Sequence, residues 1–155
     1  MSQSIKECQR CTATTAKGRP CKNRTCRGNF CWQHLRKERG LTVKQSSIPN
    51  AGLGLFATKS ISGNKMIDHY TGESLTKSQV DERYASRRGD YVLCFGKKCV
   101  DGRKTNSNFA RFANNSRNTK KKNNARLTKA FTLKSTRKIN PGQEVLTAYG
   151  RDYWK

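Results

Sequence analysis

The chain has 155 residues, with 33 Lys and Arg against 10 Asp and Glu, a net charge of +23 and a hydrophobic fraction of 33%. That length suits one domain with a small appendage, and no apolar run approaches the ~20 residues needed to cross a bilayer. The first ten residues, MSQSIKECQR, lack the apolar stretch of a secretory signal, so a soluble, intracellular protein without membrane contact is expected.

The charge is spread along the chain, with ten basic and two acidic residues in 1–40 and 23 and eight in 41–155. A field of this sign raises encounter rates with polyanions or acidic protein faces. It does not specify a reaction.

Residues 8–40 form a Cys/Arg/Lys-rich module, CQRCTATTAKGRPCKNRTCRGNFCWQHLRKERG, and five of the seven cysteines fall in the first 31 residues. Without a secretory signal, cysteines clustered near a histidine point to metal rather than disulfides. The set Cys11, Cys21, Cys31 and His34 offers three thiolates and an imidazole, a closed tetrahedral zinc site. Lys17-Gly18 turns the chain between the first two ligands. Cys31 and His34 fall on one turn of the helix that follows. Cys8 and Cys26 are rival ligands. A module this short buries too little core to fold unaided, which makes metal the simpler account.

From Leu41 the pattern changes, which sets a boundary between a 1–40 module and a 41–155 domain. LTVKQ and GLFAT alternate like short strands around the turn signal Ser46-Ser47-Ile48-Pro49-Asn50-Ala51-Gly52. Met66 to Tyr70 reads as a further strand, ended by Thr71-Gly72. Thr76 caps an expected short helix to Ala85, with Val80 and Tyr84 on one face. Tyr91 to Phe95 and Lys98 to Asp101 predict a hairpin around Gly96-Lys97.

The stretch NFARFANNSRN, Asn108 to Asn118, starts as a helix-compatible apolar segment (Phe109, Ala110, Phe112, Ala113) and runs into asparagines. Its phenylalanines suit docking, and its polar end suits a place beside a ligand. A basic, asparagine-rich loop follows over 117–124. Leu127 to Leu133 then alternates, and Ile139-Asn140-Pro141-Gly142 turns into Glu144 to Leu146. Short strands with frequent turns and two small helices predict a β-rich α+β fold.

Four stretches, in this order, resemble the SET-domain family of protein lysine methyltransferases. Asn50-Ala51-Gly52-Leu53-Gly54-Leu55-Phe56-Ala57 is similar to the family's G-x-G loop, and Tyr70-Thr71-Gly72-Glu73 to its Y-x-G-E. Arg111-Phe112-Ala113-Asn114-Asn115-Ser116 is similar to R-F-x-N-H-S. Pro141 to Gly150, PGQEVLTAYG, is similar to the terminal G-E-E-L-x-x-x-Y-G. The Cys/His module in front of these motifs also resembles small SET proteins of large DNA viruses.

The resemblance implies a SET fold of short curved sheets with a threaded C-terminal segment, preceded by the zinc-binding module. It also implies methyl transfer from S-adenosylmethionine to a lysine amine, with histone tails the expected substrate. Gly52, Leu53, Gly54, Arg111, Phe112, Asn114, Asn115 and Trp154 are the implied cofactor-binding residues. Tyr149 and Tyr70 are the implied catalytic pair, and Thr147 and Tyr91 line the substrate channel.

The chain departs from the family's pattern at Asn115, where the family has His, and at Arg117, where it often has Cys. The competing expectation is a catalytically weak SET scaffold that binds chromatin or nucleic acid through its basic surface. Nucleosomal DNA is an expected contact, and a host nucleus or a virion the expected setting.

Overall fold

A computed structural model describes residues 8–25, 31–85, 89–103 and 108–148. Tyr149, Trp154 and the rival ligand Cys26 lie outside the described residues. The chain divides into two compact units, Met1–Leu41 and Thr42–Lys155.

In the first unit, β1 (Gln9–Arg10) pairs antiparallel with β2 (Arg24–Thr25), and α1 spans Trp32–Arg39. Cys31 is its N-cap, in an extended conformation, and Arg36, Lys37 and Arg39 fill its last turn. Cations there suit the negative end of the helix dipole. The buried cluster of this unit is Cys11, Cys21 and Cys31, with Ala13 packed against it. Thiols stand where a larger module would place aliphatic side chains.

The second unit is built from short strands. Its chain order is β3 (Leu41–Gln45), β4 (Leu53–Ala57), β5 (Met66–His69), β6 (Glu73–Thr76), α2 (Lys77–Arg83), β7 (Val92–Phe95), β8 (Lys98–Asp101), a 3-10 turn (Ala110–Phe112), β9 (Ala125–Leu127), β10 (Thr132–Ser135) and β11 (Thr147–Ala148). They form a two-stranded sheet β3-β4, a three-stranded sheet β6-β8-β7 and a four-stranded sheet β11-β9-β10-β5. The described residues are therefore β-rich, with two short helices. Among the described residues no helix is long and apolar enough to cross a membrane.

Local chemistry explains several boundaries. The Thr76 hydroxyl accepts from the Gln79 N–H while the Gln79 side chain accepts from the Thr76 N–H, a reciprocal capping box that starts α2. In the β7–β8 hairpin Cys94 lies directly opposite Cys99, and the two are joined by a disulfide. Asp101, at the end of β8, accepts from Arg83 at 3.0 Å and from the Tyr84 hydroxyl at 2.6 Å, which ties α2 to that sheet.

Two expectations change. Leu127 to Leu133 is not one alternating stretch: it is the end of β9, a turn and the start of β10. The Phe131 N–H donates to the Thr128 carbonyl at 2.9 Å, and Phe131 takes a φ of 56°. Its ring meets Phe95 edge to face at 5.2 Å, which favours this backbone although no Gly or Pro marks the turn. The segment at Phe109 closes only a 3-10 turn, because the Asn108 side chain accepts from the Arg111 N–H at 2.6 Å and Ala113 leaves extended.

The segment 142–148 runs between earlier parts of the chain. On one side the Val145 N–H donates to Leu55 at 2.7 Å and the Ala57 N–H to Gln143 at 2.9 Å. On the other, Asn124 and Ala125 donate to the Leu146 carbonyl, and β11 pairs in parallel with β9. Leu55, Leu133, Ile139 and Val145 are fully buried there and form its apolar centre.

Candidate functional site

The first and third motif regions and the fourth as far as Ala148 come together along the inserted segment, and the second joins the third through Asn108 and Tyr91. Asn114 forms a parallel bridge with Leu146 and accepts from the Thr147 N–H at 2.9 Å through its carbonyl. Its side-chain amide donates to the Leu53 carbonyl at 2.9 Å and reaches Glu144 at 3.5 Å. The glycine loop, the asparagine segment and the C-terminal segment are thus linked through one residue.

The two loop glycines answer to different constraints. Gly52 has a φ of 70°, a left-handed backbone that favours glycine, and the space where a Cβ would stand is open. A Cβ at Gly54 would lie 2.3 Å from Glu144 Oε1, so the room left by the absent side chain is held by that carboxylate. Leu53 between them is 52% exposed, an apolar side chain available to a ligand.

Glu144 was not among the expected site residues. Its buried carboxylate accepts from the Ser46 hydroxyl at 2.5 Å, the Ser47 N–H at 2.9 Å and the Ser47 hydroxyl. Burial pushes its pKa up, but the donors of Ser46, Ser47 and Asn114 outweigh this and hold it below the ordinary glutamate range. The sequence signal was present in Ser46-Ser47 and in the Gln143-Glu144 pair, 98 positions downstream of Ser46, but nothing in either pointed to the other.

Arg111 is 8% exposed, and its Nε and Nη1 have no hydrogen-bond partner among the described residues. The guanidinium lies 3.8 Å from the Tyr91 ring centroid and 4.7 Å from that of Phe112, which is itself buried. Tyr70, also buried, donates its hydroxyl to the Tyr91 carbonyl at 2.6 Å and so braces the residue under Arg111. Asp68 accepts from the Phe109 N–H at 2.7 Å and Asn108 donates to the Thr71 carbonyl at 2.6 Å. These two polar residues, also unforeseen, pin the 3-10 turn.

Thr147 is fully buried and its hydroxyl has no partner among the described residues. Buried polar atoms nearly always have one, so these orphans mark places where a ligand's polar groups fit: acceptors at Arg111, and a donor or acceptor at Thr147. A carboxylate suits Arg111, because the guanidinium is a fork of N–H donors. The Asn115 side chain is occupied locally, accepting from the Arg117 N–H at 2.7 Å.

In the first unit, the ligand atoms of Cys11, Cys21, Cys31 and His34 lie within 4.8 Å of one another. His34 Nδ1 is 3.5 Å from Cys11 Sγ and 3.2 Å from Cys31 Sγ. Burial raises the Cys31 pKa, but donors from the His34 backbone, Asn23 and His34 itself bring it down to about 6. Cys21 is drawn down by the Asn23 backbone, yet burial and the adjoining Cys11 and Cys31 leave it raised. Such a cluster resists full ionisation unless a cation joins it. Three soft thiolates and one imidazole fit zinc in a closed structural site. Cys8, expected as a rival ligand, is disulfide-bonded, so the cysteines of this region do not all serve one purpose.

The family model described as SET domain matches residues 52–150. No curated protein matches the chain.

Proposed function

The chain belongs to the SET-domain family, and from that premise we propose that it is an S-adenosylmethionine-dependent protein lysine N-methyltransferase acting on histone tails. Family membership supports the class of reaction. The observation that carries the reading further is the buried guanidinium of Arg111, whose Nε and Nη1 have no partner among the described residues, a fit for the carboxylate of an amino-acid-derived donor.

When bound, S-adenosylmethionine supplies an electrophilic methyl group on a sulfonium. Arg111 would hold the carboxylate, and Gly52 with the exposed Leu53 would offer an open backbone and an apolar face. The rings of Phe112 and of Tyr91, the latter braced by Tyr70, both lie against Arg111. The Asn114 amide is engaged by Leu53 and Glu144, so its contribution is to hold the glycine loop against the C-terminal segment.

The attacking lysine must be neutral, although a free lysine titrates near ~10.4. An apolar channel beside a positive centre favours loss of that proton. The Thr147 hydroxyl, buried and without a partner among the described residues, would accept from the amine. Tyr149, which lies outside the described residues, is assigned by resemblance to orienting the nitrogen. The cluster Cys11, Cys21, Cys31 and His34 would hold a zinc ion that organises the first unit.

Two variants separate binding from chemistry. Arg111→Gln should weaken S-adenosylmethionine binding by about 10- to 100-fold, the loss of a charge-assisted contact of roughly 1.5–3 kcal/mol. Tyr149→Phe should leave that affinity nearly intact and lower turnover by about 10²–10³. Equilibrium dialysis with labelled donor reads the first. Transfer of label to core histones, with the lysine located by mass spectrometry, reads the second. Histones left unlabelled by a protein that binds the donor would overturn the histone assignment, and a protein that does not bind the donor would overturn the enzyme.

A further inference from the structure

Between Asp101 and Glu144 the sequence has no acidic residue and twelve basic ones. In the fold, part of this excess gathers on one surface of the second unit. Alternation along β9 and β10 turns Ala125, Leu133 and Ser135 inward, while Arg126 points out and Lys134 pairs directly opposite it. Like charges directly opposed on neighbouring strands destabilise a sheet.

The adjoining loop and turn add to the same surface. The Thr136 N–H donates to the Asn124 carbonyl at 2.9 Å, and Arg137 Nη2 donates to the Lys122 carbonyl at 3.3 Å. These bonds join the loop carrying Lys120, Lys121 and Lys122 to the turn carrying Arg137 and Lys138, all five exposed.

Among the described residues no carboxylate is placed to neutralise them. Asp68, Asp101 and Glu144 are buried and engaged by Phe109, by Arg83 and Tyr84, and by Ser46 and Ser47 respectively. The exposed acids of the second unit's described residues, Glu73, Asp81, Glu82 and Asp90, fall in a separate stretch of the chain. The ion pairs found among the described residues also involve only residues from Glu73 to Asp101.

We propose that the surface formed by Lys120, Lys121, Lys122, Arg126, Lys134 and Arg137 is a docking site for the phosphate backbone of duplex DNA. Unneutralised Lys and Arg on a firm sheet and a tethered loop suit phosphates, whose condensed counterions are released on binding. Duplex is favoured over single strands because single-strand sites need aromatic platforms for unstacked bases. The described aromatic residues of this stretch are committed elsewhere: Phe109 and Phe112 are buried, and Phe131 packs on Phe95. The contacts are to backbone, so binding is independent of base sequence. This site does not rest on the methyl-transfer reading, and binding is measured without donor or histone.

The test titrates full-length protein into fluorescent duplex DNA of arbitrary sequence over a range of salt. Replacing Lys120, Lys121, Lys122 and Arg126 together by Ala should weaken binding at least about tenfold and flatten the slope of log affinity against log salt by about 3. A charge-matched control, Lys17, Lys59, Lys97 and Lys98 to Ala, should stay close to the parent. Exchanging Lys for Arg at 120–122 and Arg for Lys at 126 should preserve binding, which loss of fold would not. Equal weakening by both alanine sets would overturn the site in favour of diffuse charge. Single-stranded DNA bound as tightly as duplex would overturn the assigned occupant.

Discussion

Glu144 concentrates much of the site's local energetics in one side chain. It fills the space beside Gly54, accepts from Ser46 and Ser47 and lies within reach of Asn114. Hydrogen bonds to a charged group contribute about 1.5–3 kcal/mol each when well made. Its folded pKa is depressed, so its contribution is fully present above the unfolded value of about 4.3 and is lost as pH falls through the lower folded value. Glu144→Gln should therefore lower stability at neutral pH by about 2 kcal/mol and flatten the acid limb of the stability curve. Urea denaturation at a series of pH values checks this. An acid limb as steep as the parent's would place the stabilising charge elsewhere.

At the scale of elements, the first unit depends on side-chain chemistry in place of a large apolar core. Its short ribbon β1-β2 and helix α1 accompany a buried cluster of three thiols. Zinc binding at such a site is folding free energy, because the unfolded chain holds no preformed site. Freshly purified, reduced protein should carry about one zinc per chain, four ligands making one tetrahedral site. Cys31→Ala should release it and expose residues 8–40 to proteolysis. Metal analysis and mass-mapped limited proteolysis read the two effects, and a metal-free protein with this region protected would refute the dependence. In the second unit the disulfide Cys94–Cys99 lies across two strands already paired by backbone hydrogen bonds, so no comparable dependence is expected there.

At the scale of the molecule, the charge of +23 is arranged as well as large. Acid-free stretches and an acid-bearing stretch alternate along the second unit, and only the latter carries the ion pairs among its described residues. A basic histone tail gains nothing from a net positive field, whereas nucleosomal DNA does. Methylation of nucleosomes should therefore fall steeply from low to physiological salt, while methylation of a short histone peptide changes little. Parallel salt profiles for the two substrates would rule out electrostatic recruitment.

The sequence alone determined features carried by neighbouring residues. Thr76 announces a helix cap, and Gly96-Lys97 marks a hairpin. Spacing singled out Cys11, Cys21, Cys31 and His34, and four ordered motifs pointed to the SET family. Each of these signals is local, or is a motif whose order survives without knowledge of the fold.

Tertiary structure alone decided what depends on distant approach. Ser46 meets Glu144, Asp68 holds Phe109, and Arg111 lies against Tyr91 with two donors left over. The turn at Phe131 belongs here too, because the aromatic contact with Phe95 comes from a hairpin 36 positions earlier, measured between residues 95 and 131. Hydrogen bonds and ring contacts act over a few ångströms. Which residues come within that range is decided by how the inserted C-terminal segment and the four-stranded sheet bring the chain together.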